Sequence, residues 1–118
     1  MTPQMIGLGL LEAIHESDIY ANADPNDKDN DGISGKVAIA SKQDGKVTIG
    51  RFGWKASNPS IRQQTADAFA GDIGISSPAA SSNYGDCTKR QIECLAIPHG
   101  EQTRLGVGEA PEDVLALV

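Results

Sequence analysis

Asp27, Asp29 and Asp31 stand at alternate positions in the stretch Asp24-Pro-Asn-Asp-Lys-Asp-Asn-Asp-Gly-Ile-Ser-Gly35. That spacing lets a turning backbone aim three carboxylates at one hard cation, and Gly32 follows where such a loop needs a sharp turn with φ > 0. Counted as an EF-hand from Asp27, the carboxylates occupy positions 1, 3 and 5. Ile33 at position 7 would offer its carbonyl oxygen, but position 12 is Ala38, not the bidentate glutamate. A cation here must therefore complete its shell with water, Asp24 or a group elsewhere. The expectation is a structural calcium ion that pins a long polar loop, not a sensor, because no entering and exiting helix pair flanks it. A solvated Asp/Asn-rich turn is the plainer alternative, since these residues bond their own backbone.

Other constellations are sparse. His15 and His99 are the two histidines, and Cys87 and Cys94 the two cysteines, seven apart in sequence. That spacing suits neither a Cys-x-x-Cys redox pair nor a zinc knuckle. The two are expected to close a small disulfide loop in an oxidising compartment, with a pair of reduced, buried thiols as the alternative. No Gly-x-Ser-x-Gly, His-Glu-x-x-His, phosphate loop or Cys-x-x-Cys-His haem-attachment site occurs. Gly7-Leu-Gly9 lacks the third glycine and the preceding strand of a nucleotide fingerprint. A self-contained enzyme is thus a poor reading: the acidic loop suits a cation better than acid/base work.

Composition narrows the partners. The 118 residues carry a formal charge of −6, and the ten Lys and Arg do not cluster, which argues against nucleic acid. No apolar run reaches the roughly 20 residues of a membrane span. The start, Met-Thr-Pro-Gln-Met, lacks the basic flank and apolar stretch of a signal peptide. With five aromatic residues, the core must rest on Ile, Leu and Val, helped by Phe52, Trp54 and Phe69. The chain opens on an apolar stretch, Met5 to Ile14, and closes on another, Val114 to Val118. Such ends suggest a segment of a longer protein, and apolar ends through which copies of it could associate.

The elements that must position these residues read as follows. Ile6, Leu10, Leu11 and Ile14 have helical spacing, weakened by Gly7 and Gly9. Ser17 would cap a short helix over residues 18–23, and Asp24-Pro25 would end it and open the acidic loop, residues 24–35. Residues 36–51 alternate around Asp44-Gly45 as a β-hairpin, with Val37, Ile39, Val47 and Ile49 apolar. Phe52 and Trp54 then straddle a glycine. Asn58 and Pro59 open a helix over 58–70, with Ile61, Thr65, Ala68 and Phe69 on one face, ended by Gly71 and Gly74. A small-residue loop, a short helical turn between the cysteines and a truncated last helix over 110–118 complete a mainly α fold with one small hairpin and long loops. Phe52, Trp54 and the opening apolar stretch are core first, with an interface to a cofactor or another domain second.

Four blocks, Gly7-Leu-Gly-Leu-Leu-Glu-Ala-Ile14, Asp29-Asn-Asp-Gly-Ile-Ser-Gly35, Gly50-Arg-Phe-Gly-Trp-Lys-Ala56 and Ala68-Phe-Ala-Gly-Asp-Ile-Gly-Ile-Ser-Ser-Pro78, together resemble one family in order and spacing. It comprises the bacterial di-haem c-type cytochromes described as thiol oxidoreductases or di-haem peroxidases. The resemblance covers residues 7 to 78; the Cys87/Cys94 pair and the final helix are consistent with it. It implies a cytochrome-c-peroxidase-like fragment, 1–118, lying between the two haem-attachment sites of a periplasmic or otherwise exported parent. Haem c would belong to that parent, and electron transfer would be the parent's activity. This segment would act as scaffold, with Phe52 and Trp54 near a haem or against the flanking haem domains, and calcium holding the loop. The rival from another class is an extracellular calcium-dependent binding module with no redox role.

Overall fold

The computed structural model describes residues 6–41, 47–82, 84–85, 87–96 and 112–117. Along these the chain runs α1 (Leu8–Ala13), α2 (Glu16–Ala21), β1 (Ile39–Ser41), β2 (Val47–Ile49), α3 (Ile61–Ile73), α4 (Ile92–Leu95) and α5 (Glu112–Leu115). It is mainly α with one two-stranded hairpin, as the periodicities indicate. The expected Asp44-Gly45 turn, His99 and the first residues of the last helix lie outside the described residues. The chain divides into two compact units, Met1–Ile61 and Arg62–Val118.

In the first unit β1 and β2 pair antiparallel with Ile39 opposite Ile49 and Ala40 opposite Thr48. Ala40 and Ile49 are buried, and so is Phe52 just beyond the hairpin. Gly50 continues the ladder by donating its N–H to the Ala38 carbonyl. It also sits hard against the following turn: a Cβ at this position would collide with the Ala56 carbonyl. The turn is closed by a bridge between Phe52 and Asn58, whose backbones bond in both directions at 2.9 and 3.1 Å. Within it Gly53 has φ 83° and Ala56 φ 49°. Trp54 rides at the tip of this turn.

That position overturns the expectation that Trp54 is core. Its ring is 95% exposed, because the Phe52–Asn58 bridge spends the inward direction on Phe52 and turns the tip residues outward. The opening helix departs in the same way. No residue of α1 is buried, and Ile6 and Leu10 are 79% and 78% exposed. Helical spacing tells which residues share a face, not whether anything covers it. α1 is tethered by polar contacts instead. Arg51 Nη1 donates to the Leu11 carbonyl at 3.0 Å, a cation on a helix C-terminal carbonyl. The Glu12 carboxylate accepts from the Ile61 N–H at 3.2 Å.

Two helix starts also shift. α2 begins at Glu16 and is capped by His15, whose Nδ1 accepts from the Ser17 N–H at 3.2 Å. Ser17 is therefore inside the helix, its hydroxyl 2.8 Å from the same imidazole nitrogen. α3 begins at Ile61, not Asn58, because the Asn58 backbone is committed to the bridge with Phe52. At its other end Gly71 is helical, and Gly74, at φ 72°, makes the stop. The Ile75 N–H then folds back to the Phe69 carbonyl at 2.9 Å.

The second unit gathers round α3. Ala66 and Ala79 are sealed from solvent, Leu115 of α5 joins them, and Phe69 and Ala80 pack on the cluster. Small residues dominate, so the segments approach closely. Ser77 and Ala80 form a tight backbone bridge at 2.9 and 3.0 Å. Gln63 Nε2 reaches both the Asp67 carboxylate at 2.8 Å and the Ala79 carbonyl at 3.4 Å, which ties the 77–80 turn to the helix.

Two glycine substitutions should separate packing from entropy. Gly50→Ala should lower stability in denaturant unfolding by about 2 kcal/mol or more, since backbone must move. Gly71→Ala, with open space around its Cβ position and helical backbone, should raise it by roughly 0.5–1 kcal/mol.

Candidate metal centre

The acidic loop leaves α2 through Asn22, whose side-chain amide donates to the Asp18 carbonyl at 2.8 Å. Its two ends meet in a backbone bridge, the Gly35 N–H donating to the Asp24 carbonyl at 3.0 Å. Inside that closure the aspartates organise the backbone themselves. Asp24 Oδ2 accepts from the Lys28 N–H at 2.8 Å, Asp29 Oδ1 from the Asp31 N–H at 3.3 Å, and Asp31 Oδ1 from the Ile33 N–H at 2.8 Å. Both carboxylate oxygens of Asp27 lie 3.2 Å from the Gly32 N–H. These are side-chain turns of the kind that Asp favours by sequence.

The turns come with unusual dihedrals. Asp27 and Asn30 have φ 48° and 59°, and Gly32 has φ 84°. Asp and Asn tolerate this left-handed region better than other side chains do, and glycine best of all. The result is convergence: one carboxylate oxygen from each of Asp27, Asp29 and Asp31 lies within 4.8 Å of the others. Asp27 is half-buried and the other two are exposed. At such separations like charges repel by about 1 kcal/mol per pair even in water, and a divalent cation between them reverses the sign.

Asp24 stands outside that trio. Its Oδ1 is buried and has no hydrogen-bond partner among the described residues, while Oδ2 accepts from the Lys28 N–H. Ile33 has a 70% exposed side chain and an N–H committed to Asp31. The spacing of the aspartates makes the trio legible in sequence, whereas the half-satisfied state of Asp24 depends on the loop closing and carries no sequence signal.

The remaining sequence-predicted residues lie apart from one another in role. Phe52 is buried within the first unit and Trp54 projects to solvent, so of the two aromatics only Trp54 offers a free face. Cys87 and Cys94 are joined as a disulfide, Cα atoms 6.4 Å apart. Both thiols are thereby used, and the sequence has no others. Covalent haem attachment through paired cysteine thioethers and an adjacent histidine does not fit this chain. His15, engaged with Ser17 as a helix cap, is the one histidine among the described residues.

Among the described residues no helix is long and apolar enough to cross a membrane. Comparison with known proteins finds no matching curated protein and no matching solved structure. A family model described as "Di-haem oxidoreductase, putative peroxidase" matches residues 1–90. That span includes α1, the acidic loop, the hairpin, the Phe52–Asn58 turn and α3. The chain belongs to this di-haem oxidoreductase family.

Proposed function

We propose that the chain serves an exported di-haem oxidoreductase as a haem-free scaffold segment, lying between its haem-bearing parts, with a structural calcium ion in the acidic loop. The observation that carries this reading is the convergence of Asp27, Asp29 and Asp31 inside a backbone-closed loop. Family membership over residues 1–90 and the absence of a haem-attachment motif in the sequence support the scaffold role. A periplasmic setting agrees with the disulfide and with a calcium loop, both stable in oxidising, calcium-containing compartments.

In this reading the trio supplies three oxygens. The carbonyl of Ile33 and the unpartnered Oδ1 of Asp24 are the nearest candidates in sequence to extend the shell, with water completing the six to eight ligands that calcium takes. The cation offsets the repulsion among the carboxylates and holds the loop between α2 and the hairpin. The flanking haem domains of the parent would cover the exposed face of α1 and the Trp54 ring.

Calcium titration by calorimetry, with thermal unfolding in calcium and in chelator, tests the metal. Binding with a higher Tm in calcium is expected, lost in Asp29→Ala and Asp31→Ala. Absence of both heat and shift would leave a solvated turn. Gly32→Ala should also weaken calcium binding, because an alanine at φ 84° costs about 1 kcal/mol of backbone strain. For the covering role, Trp54→Phe in the full-length protein should slow electron transfer between the haems if the indole lies on that path. An unchanged rate would remove Trp54 from it.

A further inference from the structure

Residues 87–96 belong to the second unit and follow a contact made by Gly85. Gly85 backs onto the Ala70 carbonyl of α3, 3.8 Å from where its Cβ would stand. Beyond it the segment's hydrogen bonds among the described residues are local. The Cys87 N–H donates to the Tyr84 carbonyl at 3.0 Å, and the Cys94 sulfur lies 3.9 Å from that same carbonyl. Thr88 and Gln91 bond one another through the Gln91 side chain, at 2.8 and 2.9 Å. Leu95 and Ala96 close α4 onto Gln91 and Ile92.

No residue of this segment enters the buried cluster of the unit. Ile92, its largest apolar side chain beside Leu95, is 73% exposed, and Thr88 to Glu93 are exposed throughout. A four-residue helix cannot hold itself in water, since nucleation is unfavourable and packing normally makes up the difference. Among the described residues only Cys87, Cys94 and Leu95 of the segment are half-buried, and the disulfide is the covalent constraint that closes it on itself.

We propose that the Cys87–Cys94 disulfide is a redox latch on this local segment. A dithiol opens it: one thiolate attacks a sulfur of the bridge, forming a mixed disulfide and expelling the other cysteine as a thiolate, which takes up a proton. The second thiol of the reductant then displaces the remaining cysteine. The bridge gains two electrons and two protons, and the dithiol leaves as its own disulfide. Residues 88–96 lose their order and present the exposed pair Lys89 and Arg90 on a flexible strand, while α3 and its alanine-rich cluster stay folded.

Amide hydrogen exchange on the full chain, with and without dithiothreitol, reads this directly. On reduction the protected amides of Gln91, Leu95 and Ala96 should exchange at least about tenfold faster, and those of α3 should change by less than about twofold. Trypsin cleavage after Lys89 or Arg90 should accelerate in parallel. The double substitution Cys87→Ser with Cys94→Ser should reproduce the reduced behaviour without reductant. Unchanged exchange at 88–96 would overturn the latch, as would equal acceleration in α3, which would make the bridge a support of the whole unit.

Discussion

Loops pinched shut by their own backbone are what this chain depends on. Asp24 meets Gly35, Phe52 meets Asn58, and Ser77 meets Ala80, and each bridge fixes the ends of a loop. Among the described residues the buried hydrophobic ones are few, and half of them are alanines. A backbone hydrogen bond contributes about 1 kcal/mol net, while ordering a residue costs about 1–2 kcal/mol. A bridge alone therefore sets where a loop begins and ends, and leaves its interior to other forces. In the short 52–58 turn, Phe52 supplies them by burial. In the twelve residues from Asp24 to Gly35 there is no such side chain, and aspartate-to-backbone bonds together with the proposed cation take that part.

Membership of a di-haem family sits beside a chain whose two cysteines bind each other. The two facts are compatible because a haem protein needs more than haem ligands: helices and loops must carry the cofactor-bearing parts. The polar tethers of α1 agree with the scaffold role proposed above. The Arg51 and Glu12 contacts hold the helix near its C-terminal end, and its apolar side chains are left largely exposed instead of being consumed in the unit's own core.

What could be read from the sequence was what is decided locally. The aspartate spacing, the glycine that must turn at 32 and the pairing of the hairpin strands all act within a few residues, and the structure has these features near where the pattern put them, although Ile39, apolar in the strand alternation, is exposed while Ala40 is buried. The misplacements share a different cause. Asn58 looks like a helix cap until its backbone is seen paired with Phe52, and Ser17 looks like one until the His15 imidazole takes that role. Trp54 and Leu10 look like core because their types usually are. Burial is settled by what arrives from elsewhere in the chain, and the periodicity of a segment holds no information about that. Ala66 and Ala79, sealed at the heart of the second unit, were equally invisible, since alanine is at home anywhere.

The exposure of Trp54 has an optical consequence. It is the sole tryptophan of the chain, and its indole already stands in water on the tip of a closed turn. Its emission will be red-shifted in the native state and will scarcely move when the first unit unfolds, so a fluorescence melt would report almost nothing about folding. A blue shift, or quenching by a nearby porphyrin, would instead signal that another surface has closed over the tip.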